Sequence, residues 1–100
     1  MTSTLVYAFL AGLLGANGFP HFVKGISKEE FANPFSTAPI VNLLLGWPLL
    51  VIAVYLGGLA HIGAHPVAAL AAGAVGVLLA GVFHAQVGAL GKKPEPARER

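Results

Sequence analysis

Every Lys, Arg and Glu of this 100-residue chain falls in one of two short windows, residues 24–30 and 92–100, and there is no Asp at all. The surface of a soluble domain carries roughly 25–35% charged side chains of both signs, interspersed. Long uncharged segments cannot supply such a surface. With 56% hydrophobic and only 10% charged residues, the chain is suited to lipid rather than water. The expected class is an all-α membrane protein, because a segment in hydrocarbon must satisfy its own backbone hydrogen bonds.

The uncharged sequence divides into three apolar segments. The first, residues 4–19, is roughly 24 Å long as a helix and short for a hydrocarbon core of ~30 Å, so it is expected to borrow flanking residues. The second, residues 40–60, follows Ser36, Thr37 and Pro39, which suit a helix start. The third, residues 67–90, opens after Pro66 and is followed by Gly91, Lys92 and Lys93, a helix-stop pattern. Residues 1–91 are thus read as one transmembrane domain of three helices, and residues 92–100, with Pro94 and Pro96 among charges, as a disordered cytoplasmic tail. The first segment lacks the basic start of a signal peptide and is read as a span.

With three spans, the first loop and the C-terminal tail share one side of the membrane. Lys24, Lys28, Lys92, Lys93, Arg98 and Arg100 all lie on that side, and the opposite side has no Lys or Arg. The positive-inside rule then predicts N-out, C-in. Positive charge placed this way marks orientation and does not indicate nucleic-acid binding. Within the first loop, Ser27 and Glu30 form a capping-box pattern that ends at Asn33-Pro34. It predicts a short interfacial helix with Phe22, Phe31 and Phe35 toward lipid.

Helices in lipid associate by close backbone approach, so small residues mark packing faces. The third span carries the row Ala68, Ala72, Gly76, Ala80, His84 and Gly88, and the first span carries Ala8, Gly12 and Ala16. Ala72, Gly76, Ala80 and Gly12 are the candidate packing residues, with the third span as the expected centre of the bundle. Polar side chains are costly in hydrocarbon unless paired. Asn17, His21, Asn42, His84 and Gln86 all map to the charged side of the spans and form the candidate polar cluster. The pair His21 and His84 raises bis-histidine haem ligation, although residues 20–23 are an unpromising helical platform. His84 with Gln86 raises a proton or cation path. His61 and His65 are weak metal candidates, because Gly63 and Pro66 argue that no helix carries both.

Thiolate chemistry is excluded by the absence of Cys, and no paired carboxylates, P-loop or dinucleotide fingerprint is present. The chain is therefore expected to be no enzyme and to carry no cofactor. Residues 17–27, from Asn17 through Pro20-His21-Phe22, together with Asn33-Pro34-Phe35, Val41-Asn42 and Gly46-Trp47, resemble a group of small bacterial integral membrane proteins of uncharacterised activity. That resemblance implies a bacterial inner-membrane protein and draws Asn17, His21, Asn42 and Trp47 together around the inner loop. The expected function is association through the small face of the third span, with the bilayer and itself or another membrane protein as partners. The alternatives are a small transporter or channel in which His84 titrates, or a haem- or metal-binding membrane subunit.

Overall fold

The computed structural model describes residues 1–88. It contains three helices, α1 (Thr2–Ile26), α2 (Pro39–Leu59) and α3 (Pro66–Gln86). Each is long and apolar enough to cross a membrane. The two shorter helices reach about 31 Å at 1.5 Å per residue, the thickness of a hydrocarbon core. α2 and α3 each begin with proline at the first turn, where the missing N–H has no intrahelical role. The end of the third expected span and the expected charged tail lie outside the described residues.

α1 is the longest element. The sequence pattern stops it at Phe19, but the helix passes through Pro20 and continues to Ile26. Proline in a helix interior forfeits one hydrogen bond, and here the last turns are held by tertiary packing. A Cβ placed on Gly25 would lie 2.7 Å from Leu43 Cβ and from the Leu43 backbone nitrogen, so this final stretch is pressed directly on the start of α2. The same continuation removes the predicted interfacial helix. Ser27 serves as the C-terminal cap of α1, and Lys28 takes a left-handed φ of 59°. Glu29 then folds back onto Lys24, its amide donating to the Lys24 carbonyl and its carboxylate meeting Nζ at 2.8 Å. Glu30 accepts from the Thr37 hydroxyl, and the Phe31 amide donates to the Thr37 carbonyl. Residues 27–38 form a closed, non-helical loop in which the capping-box partners are committed elsewhere.

α1, not α3, is the centre of the bundle. It packs against both neighbours, and among the described residues α2 and α3 do not pack on each other. Glycines set both contacts. Toward α2, Gly18 and Gly46 face each other so closely that a Cβ on Gly46 would lie 2.6 Å from the Gly18 carbonyl oxygen and from the Phe22 nitrogen. Toward α3, a Cβ on Gly12 would collide with the Gly73 carbonyl, and one on Gly76 with the Phe9 carbonyl. Ala80 and Ala69 are buried on the same side of α3, while Ala72 packs at the edge of a small cluster of Ala8, Ala60 and Ala69 at the hairpin end of the bundle. Gly57 and Gly81 face open space. Trp47 is 58% exposed, so it faces outward.

These contacts predict opposite signs for chemically identical substitutions. Gly46→Ala and Gly76→Ala force backbone apart and are expected to destabilise by about 1–3 kcal/mol. Gly81→Ala meets no neighbour and gains helix propensity, so it is expected to be neutral or to stabilise by up to ~1 kcal/mol. Reversible unfolding in mixed micelles distinguishes them; equal effects at all three positions would contradict the packing described.

Candidate functional site

The polar side chains gather at the end of the bundle that carries the loop of residues 27–38. α1 contributes Asn17 and His21, one turn apart and so on the same face, α2 contributes Asn42, and α3 contributes His84. The loop adds Asn33, which the sequence reading did not include. Asn33 and Asn42 are fully buried, and His21 is 7% exposed.

The hydrogen bonds fix the orientation of each group in turn. The Phe35 amide can only donate, and it donates to Asn33 Oδ1 at 2.9 Å, an Asx turn across Pro34. Asn33 Nδ2 therefore faces Asn42 Oδ1, at 3.3 Å. Asn42 Nδ2 is shared among three carbonyls, those of Phe31 (3.0 Å), Thr37 (3.2 Å) and Ala38 (3.2 Å), which again leaves its oxygen as the acceptor. His21 Nδ1 lies 2.6 Å from that oxygen. The proton of neutral His21 must then sit on Nδ1, and Nε2 carries the lone pair.

A second, separate chain of bonds sets His84. Asn17 Nδ2 donates to the Leu13 carbonyl at 3.0 Å, so Asn17 Oδ1 faces His84 Nε2, also at 3.0 Å. Neutral His84 is thereby protonated on Nε2, and its lone pair is on Nδ1. That nitrogen is buried with no hydrogen-bond partner; Thr4 Oγ1 is the other such side-chain atom among the described residues. The two imidazoles are neighbours, with ring centroids 6.4 Å apart and planes at 75°. Phe31 leans on both, at 5.1 Å from His21 and 6.4 Å from His84. Both histidines border an open cleft of about 270 Å³ whose remaining wall is mainly apolar, including Leu14, Leu45, Leu49 and Phe83.

Of the expected cluster, Asn17, His21, Asn42 and His84 are thus brought together, in two hydrogen-bonded pairs. Gln86 is exposed and joins neither. A haem between His21 and His84 does not fit this arrangement, because Phe31, 5.1 Å and 6.4 Å from the two rings, occupies space that the porphyrin disc would need. Residues 20–23, against expectation, are helical. His61 and His65 stand at the opposite end. His61 adopts a left-handed φ of 53°, and its carbonyl accepts from the amides of Ala64 and His65, closing the turn between α2 and α3. Among the described residues, no group of three His or Glu side chains is close enough to hold a metal ion. Asn33 escaped the sequence reading because it lies in the loop, although the Asn-Pro-Phe run was itself an Asx-turn signal.

No protein-family model matches the chain, and no curated protein or solved structure matches it.

Two measurements follow from the network. In ¹⁵N-histidine spectra at a pH where both rings are neutral, His21 is expected as the Nδ1–H tautomer and His84 as the Nε2–H tautomer; one shared tautomer would refute the assignment. Asn42→Leu strands the His21 N–H, the Asn33 side-chain amide and the Phe31 carbonyl, and is expected to cost at least ~2 kcal/mol at about 1–3 kcal/mol per orphaned group. Gln86→Leu is expected to stay within ~0.5 kcal/mol.

Proposed function

We infer that the chain is a small multi-pass protein of a bacterial inner membrane, oriented N-out and C-in, that acts without catalysis by associating with a transmembrane helix of a second copy or of another membrane protein. Orientation rests on the Lys and Arg distribution: Lys24 lies in the last turn of α1 and Lys28 just beyond it, and the turn between α2 and α3 has no basic residue other than histidine. The bilayer is the solvent of the outward faces, where Val54, Tyr55, Val67, Leu70 and Leu78 are exposed.

The observation that carries association is a groove left open on the central helix. α1 spends Gly12 and Gly18 on its two neighbours, and between those neighbours it still presents Ala11, Gly15 and Ala16. With Phe19, Val77 and Gly81 these residues border an apolar groove of about 350 Å³. A wall of small residues lets another helix approach closely, the condition for association in lipid. Gly76 and Ala80, the positions first expected to mediate assembly, are buried against α1. The association surface is accordingly assigned to Ala11 and Gly81.

Ala11→Leu and Gly81→Leu are expected to reduce assembly size while leaving the monomer folded, as read by cross-linking in native membranes and by helicity after purification. Assemblies of unchanged size in both variants would refute this surface. Orientation is tested separately: a fluorescent protein fused at the C-terminus is expected to be fluorescent and alkaline phosphatase at the same position inactive, with the reverse pattern refuting C-in.

A further inference from the structure

We propose that His21 and His84 form a two-nitrogen site for a monovalent d¹⁰ metal ion, Cu(I) in the cell, held between α1 and α3. This inference stands on the polar cluster alone and does not depend on association through the α1 groove.

Three observations carry it. First, each imidazole is clamped through one nitrogen by an asparagine oxygen, Nδ1 of His21 by Asn42 and Nε2 of His84 by Asn17. Metal-ligating histidines characteristically donate their other N–H to an outer acceptor, which fixes the tautomer and leaves the ligating lone pair free. Here the free nitrogens are Nε2 of His21 and Nδ1 of His84, the second of them buried and without a partner. Second, the spacing suits one shared ion. With metal–nitrogen bonds of about 2 Å, two imidazoles on opposite sides of an ion have centroids roughly 6 Å apart, and these stand at 6.4 Å. Third, Phe31 lies 5.1 Å and 6.4 Å from the two rings. An ion between them falls within the ~6 Å over which an aromatic face attracts a cation.

Charge and coordination number select the ion. No carboxylate or thiolate lines the cleft, and Glu29 and Glu30 are engaged by Lys24 and Thr37 in the loop. A divalent ion would bring two uncompensated charges into an apolar site, which is far costlier than one. Zinc seeks four ligands, or three and a water, whereas the described residues supply two. A closed-shell monovalent ion accepts two neutral imidazoles in a linear arrangement, and imidazole is an established ligand class for copper. Binding changes no oxidation state when copper arrives as Cu(I).

The test is an anaerobic titration of the full chain in lipid nanodiscs with Cu(I), in competition with a chromogenic Cu(I) chelator. One Cu(I) per chain is expected. His21→Ala and His84→Ala are each expected to weaken binding at least 100-fold. Asn17→Ala and Asn42→Ala weaken it 10- to 100-fold by releasing the rings, and His61→Ala with His65→Ala leaves it unchanged. Uptake that survives the His21→Ala/His84→Ala double variant, or is lost with His61 and His65, overturns the proposal. If the histidine variants do not fold, the unsubstituted chain decides: Ag(I), a redox-inert probe, is expected to shift the ¹⁵N resonances of His21 Nε2 and His84 Nδ1 and leave those of His61 and His65 in place. Unshifted His21 and His84 resonances mean that the site holds only water, and the proposal falls.

Discussion

The architecture depends on how closely the α1 backbone approaches both of its neighbours. In lipid there is no hydrophobic gain in bringing helices together, so contact must come from packing and from interhelical hydrogen bonds. Both require short distances. Gly18 against Gly46 at the α1–α2 contact, and Gly12 against Gly73 with Gly76 against Phe9 at the α1–α3 contact, allow backbone to touch backbone. That proximity brings the polar side chains within reach of one another. Asparagine is short, and Asn42 bonds His21 across the α1–α2 contact at 2.6 Å while Asn17 bonds His84 across the α1–α3 contact at 3.0 Å. Bulk at either glycine contact would separate these pairs and leave polar groups unpaired in hydrocarbon, where each is costly. The glycine contacts and the polar contacts therefore stand or fall together.

The loop of residues 27–38 solves a related problem. A connecting segment near a membrane carries backbone groups that water satisfies only in part. Asn42 reaches out of α2 to take the carbonyls of Phe31 and Thr37, together with that of Ala38 at its own N-cap. One amide thus closes the loop, ties it to the first turn of α2 and orients His21. Its full burial follows from serving all three elements at once.

The three helices were legible because charge segregation and segment length are properties of the sequence alone, read against a fixed bilayer thickness. The interfacial helix was not, since the Ser27–Glu30 pattern is local and was overridden by the extension of α1 and by the hold of Asn42 on the loop. The identity of the central helix was hidden for a different reason. α3 has the longer rows of small residues, but α1 distributes its glycines over two faces, and a row count measures one face at a time. The polar pairs were partly visible: Asn17, His21, Asn42 and His84 share one end of the bundle by topology. Which of them pair, and that Gln86 is left out, depends on helix rotation, because two residues along a helix turn the side chain by about 200°. The fourth amide, Asn33, becomes visible only once the loop is closed over Asn42.

The two ends of the bundle carry different constraints. At the α2–α3 hairpin, Ala8, Ala60 and Ala69 meet as a small apolar cluster, and the histidines there serve the turn. At the loop end, three asparagines and two histidines are buried or half-buried together. Packing alone would be served as well by apolar side chains of similar volume at Asn17 and His84. Stability alone does not require the polar pair either, since a well-packed apolar pair of the same shape avoids the desolvation that a polar pair must offset. The network also stops short of full satisfaction, leaving one buried imidazole nitrogen without a partner while every amide around it is engaged. A register-fixing pair needs only the bond it makes. An orphaned lone pair beside a second oriented imidazole is an arrangement that gains its value when something binds there.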